Sequence, residues 1–323
     1  MKILVCGGAG YIGSHMVKLL ASSGHDVVTF DNLSSGHREA VKWGQLVEGD
    51  LLNLTDLDQI FSSHNFDIVM HFSAKSIVPE SMENPSLYYN NNVVGTINLL
   101  DMMMKYNVKK FIFSSTAATY GIPETSEISE EHKTVPINPY GHSKLIVEQI
   151  LQRYYEAYGL SSVTFRYFNA AGADPEGEIG ENHDPETHLI PNILKSLLEA
   201  EAVLKVFGND YDTPDGTCVR DYVHVNDLAE AHLLGANYLQ DNAGAHLFNL
   251  GSGSGYSVLE VIKAAEVAVG KPISYSVEQR RAGDPDTLIA NSTKARTILG
   301  WKPDFDNIND IVGTAWKWHS AQG

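Results

Sequence analysis

The strongest constraint on this chain is a glycine run near its start, G-G-A-G-Y-I-G, which carries Gly7, Gly10 and Gly13. It follows an apolar run, Lys2–Cys6 (KILVC), and leads into a helical pattern from Tyr11 to Ser23. A short apolar run closed by glycines reads as a buried strand. A helix that starts directly after it has free first-turn N–H groups and a positive dipole end. The tight turn needs a glycine, and a pyrophosphate needs close approach to bare backbone. Alone, such a run is equally a ligand-free strand-to-helix turn. Its context favours a dinucleotide. A second strand is expected at Asp26–Phe30, and Asp31 ends it 18 positions after Gly13. A carboxylate there is placed to accept hydrogen bonds from an adenosine ribose and repels a 2′-phosphate, so NAD is expected over NADP.

The alternation continues. Asp67–His71, Lys110–Ser115 and Ser162–Tyr167 are apolar, β-rich runs, separated by helical stretches that include Pro85–Tyr106 and Pro139–Tyr158. Strands alternating with helices predict βαβ units, hence an α/β fold. The expected core is a doubly wound (Rossmann) parallel sheet with helices on both faces and ligands at the carboxyl ends of its strands. Residues 170–187 (AAGADPEGEIGENHDPET) are rich in Gly, Pro and acids and read as a loop or domain junction. Helices are expected near 188–200, 226–239 and 257–269. The expected division is a dinucleotide domain over 1–170, with a returning segment near 222–250, and a smaller mixed α/β C-terminal substrate domain over 171–221 and 251–323. The 323 residues suffice for two such units.

A Tyr and a Lys stand four apart in Tyr140-Gly-His-Ser-Lys144, so a helix places them on one face. To act as a base near pH 7, a tyrosine must lose about three pKa units from about 10, worth about 4 kcal/mol. One ammonium about 4 Å away, at an effective dielectric near 20, supplies about that much. Tyr140 is therefore the expected general base and acid, with Lys144 as its electrostatic partner. By spacing alone an ordinary amphipathic helix is the better reading; the glycine turn upstream reverses that. Ser114, Ser115 and Thr116 end the Lys110–Ser115 strand at the sheet's carboxyl edge and offer a hydroxyl to the substrate.

Together these features resemble the extended short-chain dehydrogenase/reductase family. Ordered segments spanning nearly the whole chain narrow the resemblance to its UDP-galactose/UDP-glucose 4-epimerase branch. They are GGAGYIGSH (7–15), FSSTAATYG (113–121), NPYGHSKLIVEQIL (138–151), RYFNAAGADP (166–175), FGNDYDTPDGTCVRDYVHVNDLAEAH (207–232) and RRAGDP (280–285). The resemblance implies that Tyr140 takes the proton of the sugar 4′-hydroxyl while tightly held NAD accepts hydride from C4. The 4-keto sugar then turns over, and hydride returns to its other face. Thr116 occupies the position of the site hydroxyl, often Ser in relatives.

By the same resemblance, Gly7, Gly10, Tyr11, Ile12 and Gly13 hold the phosphates of NAD. Asp31, Asn32, Leu33, Ser34, Ser35 and Gly36 surround its adenosine, with Asp50 and Leu51 beside the adenine. Phe72, Ser73, Ala74, Lys75 and Asn92 line the groove, and Ser114, Tyr140, Lys144 and Phe168 lie at the nicotinamide. The nucleotide sugar falls to Thr116, Tyr140, Asn169, His188, Leu189, Lys205, Val206, Phe207, Arg220, Tyr222, Arg281, Asp284 and Leu288. Arg220 and Arg281 suit a diphosphate, which needs forked, permanently charged donors. Some relatives carry Lys where Ser76 stands here, with Lys75 one place earlier. Some have Asn at the position of His188. Relatives restricted to unacetylated sugars have Tyr at the position of Leu288, so N-acetylhexosamine or uronic-acid substrates form the alternative reading.

Two rivals share the fold. A 4,6-dehydratase needs an acid and a base just after the threonine, where this chain has Ala117 and Ala118. A non-catalytic NAD sensor would not need the Tyr–Lys pair. The 13 histidines are scattered without tight ligand spacing, so no metal site is expected. With 23 basic and 40 acidic residues the net charge is −17, which opposes binding to nucleic acid or anionic membranes. No apolar run reaches the roughly 20 residues of a membrane span. Two cysteines point to a reducing cytosol, and family likeness suggests a homodimer packed through the helices near 85–106 and 139–158.

Overall fold

The computed structural model describes residues 1–198, 203–281 and 284–322. Seven strands form its large sheet, here numbered in chain order: β1 Lys2–Cys6, β2 Asp26–Asp31, β3 Gln45–Glu48, β4 Ile68–His71, β5 Lys110–Thr116, β6 Ser161–Tyr167 and β7 Ala245–Leu250. Their spatial order is β7-β6-β5-β4-β1-β2-β3, and every pairing is parallel. The chain winds outward from β1 in both directions, so the strand order reverses between β1 and β4. Crevices at such a switch point are where open α/β sheets bind ligands.

Both faces of the sheet are covered. Ile3, Val5, Ile68 and Ile112 point to one face, against Met16, Val17 and Leu20 of helix Tyr11–Ser22 and Leu228 and Leu239 of helix Val225–Asp241. Leu4, Val28, Val69 and Phe111 point to the other, against Leu57, Leu99, Val147 and Leu151. Successive strand residues thus feed opposite cores, as the two-residue period requires, and strands buried on both faces read as unbroken apolar runs. A third cluster joins Ala171, Ile193, Val206, Tyr222, Val261, Ile311 and Val312, all beyond residue 170. Strand Val219–His224 lies in a separate, smaller sheet beside Thr287–Ala290.

Two strands of the large sheet escape the sequence reading, as do the strands of the smaller sheets. Gln45–Glu48 is a short, polar edge strand, and Ala245–Leu250 joins the sheet from far along the chain. The helix expected over Pro85–Tyr106 is broken into Pro85–Tyr88, a π-helical stretch Tyr89–Val94 and Gly95–Lys105. Helix Pro139–Tyr158 has the expected bounds, between the Asn138 side-chain cap and Gly159 in the left-handed region. Of the helix expected near 188–200, Leu189–Leu198 is helical and 199–200 lie outside the described residues. Among the described residues no helix is long and apolar enough to cross a membrane.

Candidate active site

The glycine turn sits at the switch point. A Cβ on Gly7 would lie 2.5 Å from the Ser73 nitrogen, and one on Gly13 would lie 2.1 Å from the Gly7 oxygen. In both cases the obstacle is backbone, which has nowhere to go. A Cβ on Gly10 would meet only the Gly7 oxygen, at 3.4 Å. Gly10 caps helix Tyr11–Ser22 without any side-chain hydrogen bond. Tyr11 and Ile12 therefore offer first-turn N–H groups beside an open face, the arrangement a phosphate needs. The Tyr11 side chain turns away and donates its hydroxyl to the Gly172 oxygen at 2.6 Å.

Asp31 is buried at the end of β2. Its oxygens accept from Ala9 N (3.0 Å) and Leu33 N (2.9 Å), while burial holds its pKa above the usual carboxylate value. Each oxygen keeps a lone pair for a ribose hydroxyl. The loop after it folds back on the glycine turn: Gly36 packs on Ala9, Leu33 adopts a positive φ of 56°, and Ser34 N donates to Asn32. Ser35 lies in the same loop. Asn32 also donates to Asp50 at 2.9 Å, and Leu51 is buried beside them in the core. Phe72, Ser73 and Ala74 follow β4 at the switch point, all half-buried.

Asn92 is buried beside the loop after β4. It accepts from Lys75 N (2.8 Å) and donates to Lys75 O (3.0 Å) and Ser143 Oγ (3.0 Å). It thus ties the loop after β4 to the helix that carries Tyr140. Its position in the π-helical stretch explains the broken helix, since wider turns of this kind re-aim a side chain.

Tyr140 and Lys144 stand on the first two turns of helix Pro139–Tyr158, next to the end of β5. The Thr116 hydroxyl lies beside the Tyr140 phenol. Lys144 is buried; its Nζ donates to the Ser114 oxygen at 2.7 Å and sits 4.9 Å over the Phe113 ring. Ser114 in turn hydrogen-bonds the Tyr167 hydroxyl. The electrostatics differ from the sequence expectation. Burial raises the Tyr140 pKa, and Thr116 rather than Lys144 opposes the rise. Burial also lowers Lys144 to about 7, against an upward pull from Glu148. The estimate from a bare ammonium at 4 Å omitted desolvation, which here outweighs the pair attraction. Below this pair, Glu148 accepts from Arg166 Nε (2.9 Å) and Ser115 Oγ (2.5 Å).

The residues expected to meet the sugar nucleotide divide into two groups. Arg220 and Leu288 are register partners on neighbouring strands, and Arg220 donates to Asp284 at 2.5 Å. Arg281 lies 4.3 Å over the Phe207 ring, and Asn169 donates to Asp221 O. Phe168 is half-buried between Tyr167 and Asn169, and Lys205 is exposed. Val206 and Tyr222 instead point into the third core cluster, because alternate strand residues face the interior, and Leu189 packs against that cluster. Of the RRAGDP segment, residues 282–283 lie outside the described residues. His188 turns its Nδ1 toward Glu181 (2.7 Å) and Glu186 (3.2 Å), whose pull outweighs burial and holds its pKa up at about 10. Glu181, His183, Glu186 and His188 converge. The four stand within eight residues of one another, a local spacing that counting the histidines as scattered overlooked, and the loop's turns bring their ligating atoms together.

Comparison with known proteins places these features. Residues 3–251 match the NAD dependent epimerase/dehydratase family model. The chain is 52% identical over 320 residues to a UDP-glucose 4-epimerase of Lacticaseibacillus casei, covering 99% of this chain and 97% of the relative. The structure of UDP-glucose 4-epimerase from Brucella ovis in complex with NAD matches with a TM-score of 0.95 and 47% identity, over 98% of this chain and 97% of that one. That of the Bifidobacterium longum UDP-glucose 4-epimerase in complex with NAD+ and UDP matches with a TM-score of 0.94 and 40% identity, over 99% and 98%. A family match over three quarters of the chain, with relatives about half identical over its full length, shows that this chain belongs to the NAD dependent epimerase/dehydratase family.

Proposed function

We propose that this protein interconverts UDP-galactose and UDP-glucose at C4 with a tightly held NAD. The observation that carries the reading is the placement of Tyr140 and Lys144 on the first two turns of helix Pro139–Tyr158, tied by Lys144 to the Ser114 oxygen at the carboxyl end of β5, beside the glycine turn at the switch point. Relatives about half identical over the full chain are UDP-glucose 4-epimerases. The residues fit the cofactor: a bare glycine turn with uncapped N–H groups for the pyrophosphate, and Asp31 with spare lone pairs for the ribose. When bound, NAD supplies a reversible hydride acceptor and a positively charged ring.

Tyr140 removes the proton of the 4′-hydroxyl and later returns it to the 4-keto sugar. Because burial raises its pKa, the phenol needs added positive charge to ionise near pH 7. Thr116 stands beside the same phenol and passes the proton between sugar and tyrosine. Lys144, anchored on the Ser114 oxygen, holds its amino group at the nicotinamide end of the groove. Arg220, with Arg281, binds the diphosphate, and Leu288 beside Arg220 bounds the sugar. The dinucleotide is held by the part of the chain around the large sheet and the sugar nucleotide by the part built on the third core cluster. A cytoplasmic homodimer completes the reading, packed through helix Pro139–Tyr158 and its neighbour Gly95–Lys105.

The test is to incubate the purified protein with UDP-galactose and no added NAD. UDP-glucose is the expected product, with deuterium placed at C4 retained in the sugar. Tyr140→Phe should keep NAD bound and lose turnover by a factor of about 100 or more, the scale of general acid–base catalysis. A keto-deoxy product, or full turnover in that variant, would refute the assignment.

A further inference from the structure

The loop before Leu189 places four ligating side chains within eight residues: Glu181, His183, Glu186 and His188. One ligand atom from each lies within 4.8 Å of those of the other three. Glu181 Oε1 is 3.0 Å from His183 Nδ1 and 2.7 Å from His188 Nδ1, and Glu186 Oε1 is 3.2 Å from the same His188 nitrogen. The two carboxylates are interior, with side chains 4% and 5% exposed. Burying two carboxylates together is costly unless cations or a metal compensate them. Lys195 reaches only to 3.8 Å from Glu186 Oε2. That oxygen is fully buried and has no hydrogen-bond partner, a rare condition that calls for an explanation.

We propose that Glu181, His183, Glu186 and His188 form a zinc site. Two imidazole nitrogens and two carboxylate oxygens make a four-ligand set of the kind zinc takes. At about 2.0–2.2 Å from the ion, tetrahedral neighbours stand about 3.3 Å apart. Three of the six separations are 2.7–3.2 Å, a little inside that shell, and all six lie within 4.8 Å. Two nitrogens in the set disfavour calcium and magnesium, which take oxygen ligands. Four protein ligands leave no open position, so the ion is structural. Its neighbours assign the role. Trp318 Nε1 donates to Glu181 O at 3.2 Å, and the Tyr11 ring meets the His183 ring edge-on at 6.2 Å. The ion would clamp the loop to the C-terminal helix Ile308–Gln322 and to the helix after the glycine turn, just before Leu189. This site goes beyond the epimerase reading, and its test does not depend on turnover.

The full-length protein is stripped with a chelator, dialysed, reloaded with excess zinc and desalted to remove the unbound ion. Zinc content is then measured by elemental analysis, and affinity by competition with a chromogenic chelator. One zinc per chain is expected, with a rise in melting temperature of about 5 °C at saturating zinc. His183→Ala and Glu186→Gln, each checked for native circular dichroism, should weaken zinc binding by more than about 100-fold, beyond the cost of losing an outer-shell partner. Magnesium should leave the melting temperature unchanged. Failure to retain zinc, undiminished affinity in both folded variants, or equal stabilisation by magnesium would each overturn the proposal.

Discussion

Lys144 shows how burial sets the chemistry of a single residue. Its amino group leaves water to donate to one carbonyl oxygen, and its pKa falls from 10.5 to about 7. The unfolded chain keeps that proton up to about pH 10.5, while the folded chain releases it near 7. Between those values the unfolded state binds more protons, so this group makes stability rise with pH. The nucleotide-free protein should therefore lose unfolding free energy as pH falls from 9.5 to 7.5. In Lys144→Met that slope should be smaller by up to about 1.4 kcal/mol per pH unit. Denaturant titrations at several pH values measure this, and identical slopes would count against a neutral buried lysine. Leu288 makes a second residue-scale case. It is the register partner of Arg220, and on the proposed reading it bounds the sugar, so that a bulkier ring there narrows the space. Leu288→Tyr should lower turnover of UDP-N-acetylgalactosamine relative to UDP-galactose by about tenfold or more, on the scale by which pocket size discriminates substrates. An unchanged ratio in side-by-side assays would remove Leu288 from specificity.

Among the elements, helix Pro139–Tyr158 carries Tyr140 and Lys144, and its cap positions the turn that bears them. Asn138 Oδ1 accepts from Gly141 N at 2.8 Å, with Pro139 opening the helix and Tyr140 next. Helix Val258–Val269 offers a control remote from β5: Ser257 and Glu260 form a complete capping box. Asn138→Ala and Ser257→Ala should each cost about 1 kcal/mol of stability. Only the first should also lower kcat, because loosening its first turn displaces Tyr140 from Thr116. Equal kcat in the two variants would show that the cap does not position the phenol. The same comparison shows what local sequence conveys. Asn-Pro before Tyr140 and Gly159 at the far end mark that helix fully, and its expected bounds hold. The π-helical break at Tyr89–Val94 carries no such mark. Asn92 acquires its shape from Lys75 and Ser143, which are distant in sequence.

At the scale of the molecule, helix Pro139–Tyr158 turns a half-apolar face outward. Ile146, Ile150 and Tyr154 line a shallow concavity of about 630 Å³, and the Tyr154 hydroxyl reaches Asp101 at 2.6 Å. A homodimer through this face predicts a solution mass of twice 35.5 kDa. Ile150→Glu should shift it to the monomer in light scattering, with native circular dichroism preserved. A monomeric parent protein would end that reading.

The sheet's inner strands, the glycine turn, Asp31 and the Tyr–Lys helix were all legible in the chain, because each rests on short-range rules. Buried parallel strands need unbroken apolar runs, the turn needs missing side chains, and a helix repeats every 3.6 residues. Long-range packing settled the rest. It recruited Ala245–Leu250 to the sheet and turned Val206 and Tyr222 inward. It drew Lys144 to a carbonyl and buried the carboxylates of Glu181 and Glu186. Desolvation and convergence depend on what the finished fold sets beside a residue, and spacing along a chain carries no record of that.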